Sequence, residues 1–337
     1  MRIAFTHNVQ ANPTEDEAEF DTPKTVAAIA DALRGLGHDV EPIEVSGDVA
    51  PVVARLSAHR PDLVFNTAEG RHGRFREAFF PALFDHLGLP FTGSDAHTCA
   101  LTLDKQLTKI VLARHGIPVA RDRLIRDARD AAAVERDGLR FPLIVKPNYE
   151  GSSMGIGPDS VVEDAASLRE RVAGLVGRYP AGVLVEEYVR GRDIVVPYVA
   201  LASPATHGVL EPAGYAFDTK VTGVRKYPIY DLALKTWAND SVEVKVPAGL
   251  PDATRRLLME TSHTIFDVLQ VRDLGRIDFR VRDDGSICFL EINALPSLED
   301  GAAIFLSAAL AGLPTQQSVL DCVVRSASER AGNRPRP

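Results

Sequence analysis

The stretch Arg276-Ile-Asp-Phe-Arg-Val-Arg-Asp-Asp-Gly-Ser-Ile-Cys-Phe-Leu-Glu-Ile-Asn293 reads as a β-hairpin with one chemical face. Asp284-Gly285 is a strong two-residue turn signal, because such turns need positive φ at both central positions. With those residues as the turn, Asp283 faces Ser286, Asp278 faces Glu291 and Arg276 faces Asn293. Side chains two apart share a face of a strand, so Arg276, Asp278, Glu291 and Asn293 project from one side. Ile277, Phe279, Val281, Ile287, Phe289, Leu290 and Ile292 make the other face, expected in the core. Opposed Cβ atoms sit roughly 4.5–5.5 Å apart, and two carboxylates that close repel unless a cation lies between them. Oxygen-only donors on a fixed scaffold suit magnesium. A solvated hairpin whose acids pair with Arg276 satisfies the spacing equally well. The irregular loop Ala294-Leu-Pro-Ser-Leu-Glu-Asp-Gly301, leaving that face directly, favours an active-site edge.

The bulk chemistry excludes several classes. The chain has 337 residues, 45% hydrophobic and 25% charged, room for two or three globular domains. A formal charge of −8 argues against nucleic acid as a partner, because phosphate backbones demand basic patches. No apolar run approaches membrane-spanning length, and the N-terminus lacks a signal-peptide pattern. Cys99, Cys288 and Cys322 are too scattered for a disulfide framework. A cytoplasmic, reduced protein without zinc spacing is the expectation.

Periodicity organises the chain. Strands are expected at 2–6, 39–45 and 63–66, and helices at 23–35, 52–59 and 77–86. This βαβα order predicts a small doubly wound parallel unit. Its first turn lacks G-x-G-x-x-G, which counts against NAD or FAD, and Gly35-Leu-Gly37 reads as a helix stop. A helix over 102–115, strands at 124–125 and 143–146 and a helix over 162–176 follow. Then come a strand at 183–189, the hairpin and a last helix near 315–326. The domains are expected at 1–94, 95–187 and 188–325, with 326–337 a disordered tail whose end is rich in Pro and Arg.

Two further motifs carry chemistry. Phe141-Pro-Leu-Ile-Val-Lys146-Pro-Asn-Tyr-Glu-Gly-Ser-Ser-Met-Gly155 joins an apolar strand, a terminal lysine and a Gly-Ser loop. Backbone N–H groups in such a loop can wrap phosphate oxygens, and the lysine supplies the counter-charge. It is not the P-loop G-x-x-x-x-G-K-[ST], and alone a Gly-Ser loop is only a turn. In Val183-Leu-Val-Glu186-Glu-Tyr-Val189-Arg-Gly-Arg-Asp193, an adenine edge could meet the backbone of Glu187 to Val189, with Asp193 accepting from ribose hydroxyls. Surface acids explain the same pair without a ligand.

Together, and in chain order over about residues 1–325, these motifs resemble the ATP-grasp superfamily, and within it D-alanine–D-alanine ligase and its relatives. Leu-Pro-Phe-Thr-Gly-Ser94 and Leu103-Asp-Lys105 are similar to the family's entry to the central domain and its first ATP lysine. The resemblance implies a three-domain α/β and α+β fold: a doubly wound N-terminal domain, a central lid and a mostly antiparallel catalytic domain. It implies ATP contacts from Lys105, Lys146, Glu150, Gly151, Ser152, Ser153, Met154, Glu186, Glu187, Tyr188, Val189, Asp193, Lys220 and Phe289, and two Mg2+ ions on Asp278, Glu291 and Asn293.

The implied reaction is phosphorylation of a carboxylate by ATP, then attack of an amine on the acyl phosphate. Arg276 and the Ser297 backbone N–H would stabilise the oxyanion, Lys220 on a mobile loop would reach the γ-phosphate, and the Ser152 region would close as a lid. Substrate contacts are expected from Glu19, Asp21, Glu69, Arg276, Asn293, Ser297, Leu298, Glu299 and Asp300, recognising a small-molecule carboxylate donor and an amine acceptor. A homodimer through the N-terminal domain follows by analogy.

The chain departs from the family at its substrate positions. Val221 replaces the tyrosine after the loop lysine, residues 66–77 replace a Gly-rich acidic stretch, and Ser297-Leu298-Glu299-Asp300 replaces Gly-[Met/Phe]-Thr. Ala302 stands where a serine receives the acceptor carboxylate, and alanine cannot donate a side-chain hydrogen bond. The leading expectation is a carboxylate–amine ligase of specialised metabolism, with Glu299 or Asp300 meeting a cationic group on the acceptor. The alternative is a cell-wall D-alanine–D-alanine ligase, and the third reading is a catalytically silent ATP-binding regulator.

Overall fold

A computed structural model describes residues 1–217, 226–231 and 242–332. Three sheets divide it. Strands β1 (Arg2–His7), β2 (Asp39–Glu44) and β3 (Leu63–Asn66) pair in parallel in the order β2-β1-β3. Strands β4 (Asp122–Ile125), β5 (Leu143–Pro147), β6 (Val161–Val162) and β7 (Val183–Glu187) form an antiparallel sheet, β4-β7-β5-β6. Strands β8 (Arg192–Val199), β9 (Ala213–Phe217), β10 (Val242–Lys245), β11 (Leu274–Val281) and β12 (Ile287–Asn293) complete it, antiparallel in the order β10-β9-β8-β11-β12. This is the ATP-grasp arrangement expected from the sequence.

Local signals set the first unit. Thr22 caps the helix Pro23–Gly35, its hydroxyl accepting from the Thr25 N–H at 3.1 Å, and Pro23 occupies the first turn, where its missing N–H costs nothing. The helix buries Ile29, Ala30 and Leu33 against Ile3 and Phe5 of β1.

The hairpin keeps its expected register by two departures that cancel. Its loop has three residues, not two: Arg282 and Ser286 bracket Asp283, Asp284 and Gly285, and Arg282 N–H donates to the Ser286 carbonyl at 2.9 Å. Gly285, at φ +81°, supplies the left-handed residue that such a loop requires. A bulge beyond Asp278 then makes Phe279 pair with Phe289, leaving Leu290 as the extra residue. Asp278 therefore still faces Glu291, and Arg276 still faces Asn293. Leu290, expected in the core, is only half-buried, while Phe279 and Phe289 are fully buried.

The single helix expected over 102–115 is two, Ala96–Leu103 and Lys105–Arg114. Asp104 separates them and caps the second, accepting from the Leu107 N–H at 3.1 Å. The same carboxylate takes bonds from Asn148 Nδ2 at 2.8 Å and Tyr149 OH at 3.0 Å. The break thus fastens Lys105 beside the loop that follows β5. Leu112 and Ile117 lie in the core of the β8–β12 sheet, so this segment packs on the catalytic sheet and not only on the central one.

The expected tail is corrected in part. A helix runs from Gln316 to Gly332, burying Val319, Leu320, Val323, Val324 and Ala327 beside Ile29 and Leu33. Its apolar periodicity continues past residue 326, and an ion pair secures the end. Asp273, whose side chain is fully buried, is held by Arg330 Nη2 at 2.9 Å, Ser326 Oγ at 2.7 Å and the Gly93 N–H at 2.8 Å. Residues 333–337 lie outside the described residues. Arg330→Met leaves that carboxylate without its cation and is expected to cost about 3 kcal/mol, read as a lower denaturant midpoint at constant m-value. An unchanged midpoint would restore the tail reading.

Candidate active site

The acids of the hairpin meet cations. Arg276 grips Asp278 through two bonds, Nε to Oδ1 at 2.7 Å and Nη2 to Oδ2 at 3.0 Å. Lys105 Nζ lies 3.3 Å from Glu291 Oε2 and also donates to the Glu150 carbonyl. Asn293 Oδ1 accepts from the Leu295 N–H at 2.8 Å, which fixes its amide toward the exit loop. Three oxygen-bearing side chains on one face are a donor set that a hard divalent cation fits. Asp278, Glu291 and Asn293 would hold it.

Behind this face, two lysines share one acid. Glu186 on β7 is bonded by Lys146 Nζ at 2.7 Å and by Lys109 Nζ, and all three side chains are buried. Burial, and after it the Lys109 charge, pushes Lys146 down to about 7, against the pull of Glu291. The Glu186 carboxylate, expected at the adenine hinge, thus sits on the two lysines. Lys109 escaped the sequence reading, although it lies one turn beyond Lys105 on the same helix face.

The Gly-Ser loop is clamped from the N-terminal domain. Ser152 and Ser153 both hold left-handed conformations, φ +43° and +59°, which turn successive N–H groups to one side. Gly155 N–H donates to Glu15 Oε1 at 2.7 Å, and Ser153 Oγ donates to the Tyr230 carbonyl at 2.7 Å. Met154 is buried beneath, and its N–H closes on the Gly151 carbonyl at 2.9 Å. A Cβ at Gly151 would lie 1.9 Å from Glu19 Oε1, so a larger residue there would displace the Glu19 side chain.

On the nucleoside side, the Glu187 and Tyr188 N–H groups are taken by the Arg121 and Pro142 carbonyls at 3.0 and 2.9 Å. Val189 packs on Ala120 and Cys288. Asp193 pairs with Arg280, 3.1 Å from Nη2 to Oδ1. Arg280 was also missed, although the alternation that selects Arg276 and Asp278 selects it next. Phe289, placed beside the nucleotide by resemblance, is turned into the core, its N–H on the Pro118 carbonyl at 2.8 Å. The bulge presents Leu290 instead, partly exposed beside Glu291. Lys220 and Val221 lie outside the described residues.

The substrate positions do come together. A cavity of about 520 Å³ is lined by Glu19, Asp21 and Glu69 from the N-terminal domain and by Ser152 from the lid. Arg276, Asp278 and Asn293 form its floor, and Ser297, Leu298, Glu299, Asp300 and Ala302 its far wall. Of these, Leu298 is almost fully buried in the core shared with the N-terminal domain. Behind Glu19 and Glu69 stands Arg76, buried, bonded to Glu19 and 3.4 Å from Glu77, with Nη1 reaching the Tyr149 carbonyl at 3.4 Å. Burial and the neighbouring acids Glu77 and Glu19 push the Glu69 carboxyl well above its ordinary range. Arg76 pairs with Glu19 and Glu77, and its charge also acts on Glu69, so a guanidinium already answers these three carboxylates.

Removing the shared anion of the lysine pair tests this geometry. Glu186→Gln leaves two buried ammonium groups facing each other and is expected to destabilise the protein by about 3–5 kcal/mol. A thermal or denaturant midpoint equal to that of the parent would show that Glu186 does not anchor them.

The comparisons with known proteins agree with this geometry. A family model described as the D-ala D-ala ligase C-terminus matches residues 111–323. A D-alanine–D-alanine ligase of Pseudomonas putida (strain GB-1) is 30% identical over 315 residues, covering 91% of this chain and 89% of its own length. One from Gluconobacter oxydans (strain 621H) is 32% identical over 305 residues, covering 90% and 93%. The crystal structure of D-alanine–D-alanine ligase from Bacillus anthracis complexed with ATP has the same fold, with TM-score 0.77 at 20% identity over 98% of this chain and 99% of that one. The chain belongs to the D-alanine–D-alanine ligase family of ATP-grasp enzymes, which join a carboxylate to an amine through a C–N bond.

Proposed function

We propose that this ligase activates the carboxylate of D-alanine or a closely similar small amino acid and couples it to the amino group of a second. The observation that carries the reading is that Arg276 and the N-terminus of the helix Ala303–Leu310 line one cavity. Ala302, Ala303 and Ile304 all line that cavity. First-turn N–H groups of a helix lack intrahelical partners and favour a carboxylate. They offer the acceptor carboxylate what the missing serine at Ala302 does not. The relatives named D-alanine–D-alanine ligase, matched over about nine-tenths of both lengths, weigh the same way. The specialised-metabolism expectation therefore gives way to its alternative as the better-supported reading.

The chemistry follows from the residues. ATP transfers its γ-phosphoryl group to a donor carboxylate oxygen, giving ADP and an acyl phosphate. Magnesium, held by Asp278, Glu291 and Asn293, would neutralise the phosphate charge. Lys105 and Lys146 hold the phosphate chain, while the Ser152 loop excludes water that would hydrolyse the intermediate. Arg276 faces the acyl oxygen and stabilises the negative charge that develops when the amine attacks.

A second reading rests on Glu299 and Asp300, whose presence on the cavity wall suits an acceptor carrying an additional cationic group. Phosphate release measured over a matrix of D- and L-amino acids and diamines, with mass spectrometry of products, separates the two. D-alanyl-D-alanine as the fastest product supports the first, and its absence beside a diamine conjugate the second. Asp278→Asn is expected to abolish ATP turnover with every substrate pair, and full turnover in that variant would remove the site from the reaction.

A further inference from the structure

The acceptor enters as an ammonium ion, and an ammonium nitrogen has no lone pair with which to attack. Some group in the cavity must take its proton. Resting on the acyl-phosphate reading above, we propose that Asp21 is the general base that deprotonates the acceptor ammonium.

Asp21 is mounted rigidly at the cavity wall. Its N–H donates to the Asn8 carbonyl at 3.1 Å, its carbonyl accepts from the Gln10 N–H at 2.9 Å, and Val9 bridges to it. Thr67 Oγ1 donates to Oδ2 at 2.8 Å, and Asp21 and Thr67 both line the cavity that holds Arg276 and Ser297. The charged groups around that space are Glu19 on its own segment, Glu69 after β3, Glu299 and Asp300 after β12, and Arg276 and Asp278 on β11. Among the described residues lining it, acids outnumber cations, so a proton arriving at Asp21 is stabilised. Burial, with the Glu299 charge adding to it and the Thr67 bond opposing, brings the carboxyl up to about 6. A base of that strength is ionised at neutral pH yet close enough to it to accept a proton efficiently.

Three neighbouring acids are engaged elsewhere. Asp278 is gripped by Arg276, and Glu291 is paired with Lys105. Glu69 is buried beside Glu77 and Glu19, and burial with those charges pushes its carboxyl well above the ordinary range, which disfavours its ionised form. Asp21 combines a place on the cavity wall, a rigid backbone and a bond from the cavity-lining Thr67 hydroxyl.

The step balances without any further reagent. The ammonium N–H bond breaks and an O–H bond forms on Asp21. The freed nitrogen pair makes the C–N bond at the acyl carbon, and the tetrahedral intermediate then expels phosphate with the C–O electron pair. The second nitrogen proton leaves with the phosphate, and Asp21 returns its own to solvent.

Hydroxylamine provides the test, because it is largely neutral at pH 7 and attacks acyl phosphates without a base. The full-length enzyme is given ATP, magnesium and the donor amino acid, with either the amino-acid acceptor or hydroxylamine as nucleophile. Asp21→Asn is expected to lower peptide formation about 100- to 10,000-fold while hydroxamate forms at the parent rate. The parent kcat/KM should fall with decreasing pH around 6, where the base protonates, and the variant should lack that limb. Thr67→Val, which removes a bond to the ionised form, should move the limb to higher pH. Equal loss of peptide and hydroxamate, a raised acceptor KM with the limb intact, or a limb that disappears in Glu69→Gln instead would each overturn the assignment. Hydroxamate formation by the parent enzyme reads out the acyl phosphate itself, and its absence would overturn that reading and this one together.

Discussion

Like charges on neighbouring strands cannot stay close without an answer, and the site is built around that constraint. Asp278 and Glu291 face each other across β11 and β12. Arg276 answers the first from its own strand, and Lys105 answers the second from a helix start that Asp104 fixes in place. The lysine pair inverts the pattern, with one carboxylate, Glu186, between two ammonium groups. Buried charges are tolerated when paired this way, and the Lys105–Glu291 and Lys109–Glu186 pairs tie the helix Lys105–Arg114 to β12 and β7, strands of two different sheets.

Charge also sorts the cavity. On the proposed reading, the phosphate end is the one that carries Lys105, Lys146 and the left-handed Ser152–Ser153 turn. The amine side carries carboxylates from the N-terminal domain, gathered around Arg76, as ammonium groups require. A substrate with a carboxylate at one end and an amine at the other is oriented by that gradient before any specific contact forms. Because Arg76 binds Glu19 on one side and the Tyr149 carbonyl on the other, the same residue that gathers the acids also holds the phosphate loop.

The two ends of the chain are joined for the same purpose. The helix Gln316–Gly332 and the helix Ala303–Leu310 share a core with the first parallel sheet. Their packing carries the acceptor loop, residues 297–302, against the segment bearing Asp21.

Much of this was legible in the residues. Strand alternation alone placed Arg276, Asp278, Glu291 and Asn293 on one face, and Thr22-Pro23 with Gly35 bounded the first helix as observed. The glycines and serines of the loop after β5 signalled a turn, and the structure has one there, beside Lys105. These features are local, set by φ/ψ preferences and the period of side chains along a few residues. Long-range contacts decided the rest. The three-residue turn and the Leu290 bulge cancel only because both strands pack on a common core, which also turned Phe289 inward. Burial brought Glu186 to two lysines, carried the last helix past residue 326 onto Asp273, and set a helix terminus where a serine was missed. A sequence states which side chains a strand or helix can present. Which charge each one meets is determined by elements far away in the chain, through the cost of leaving a buried charge alone.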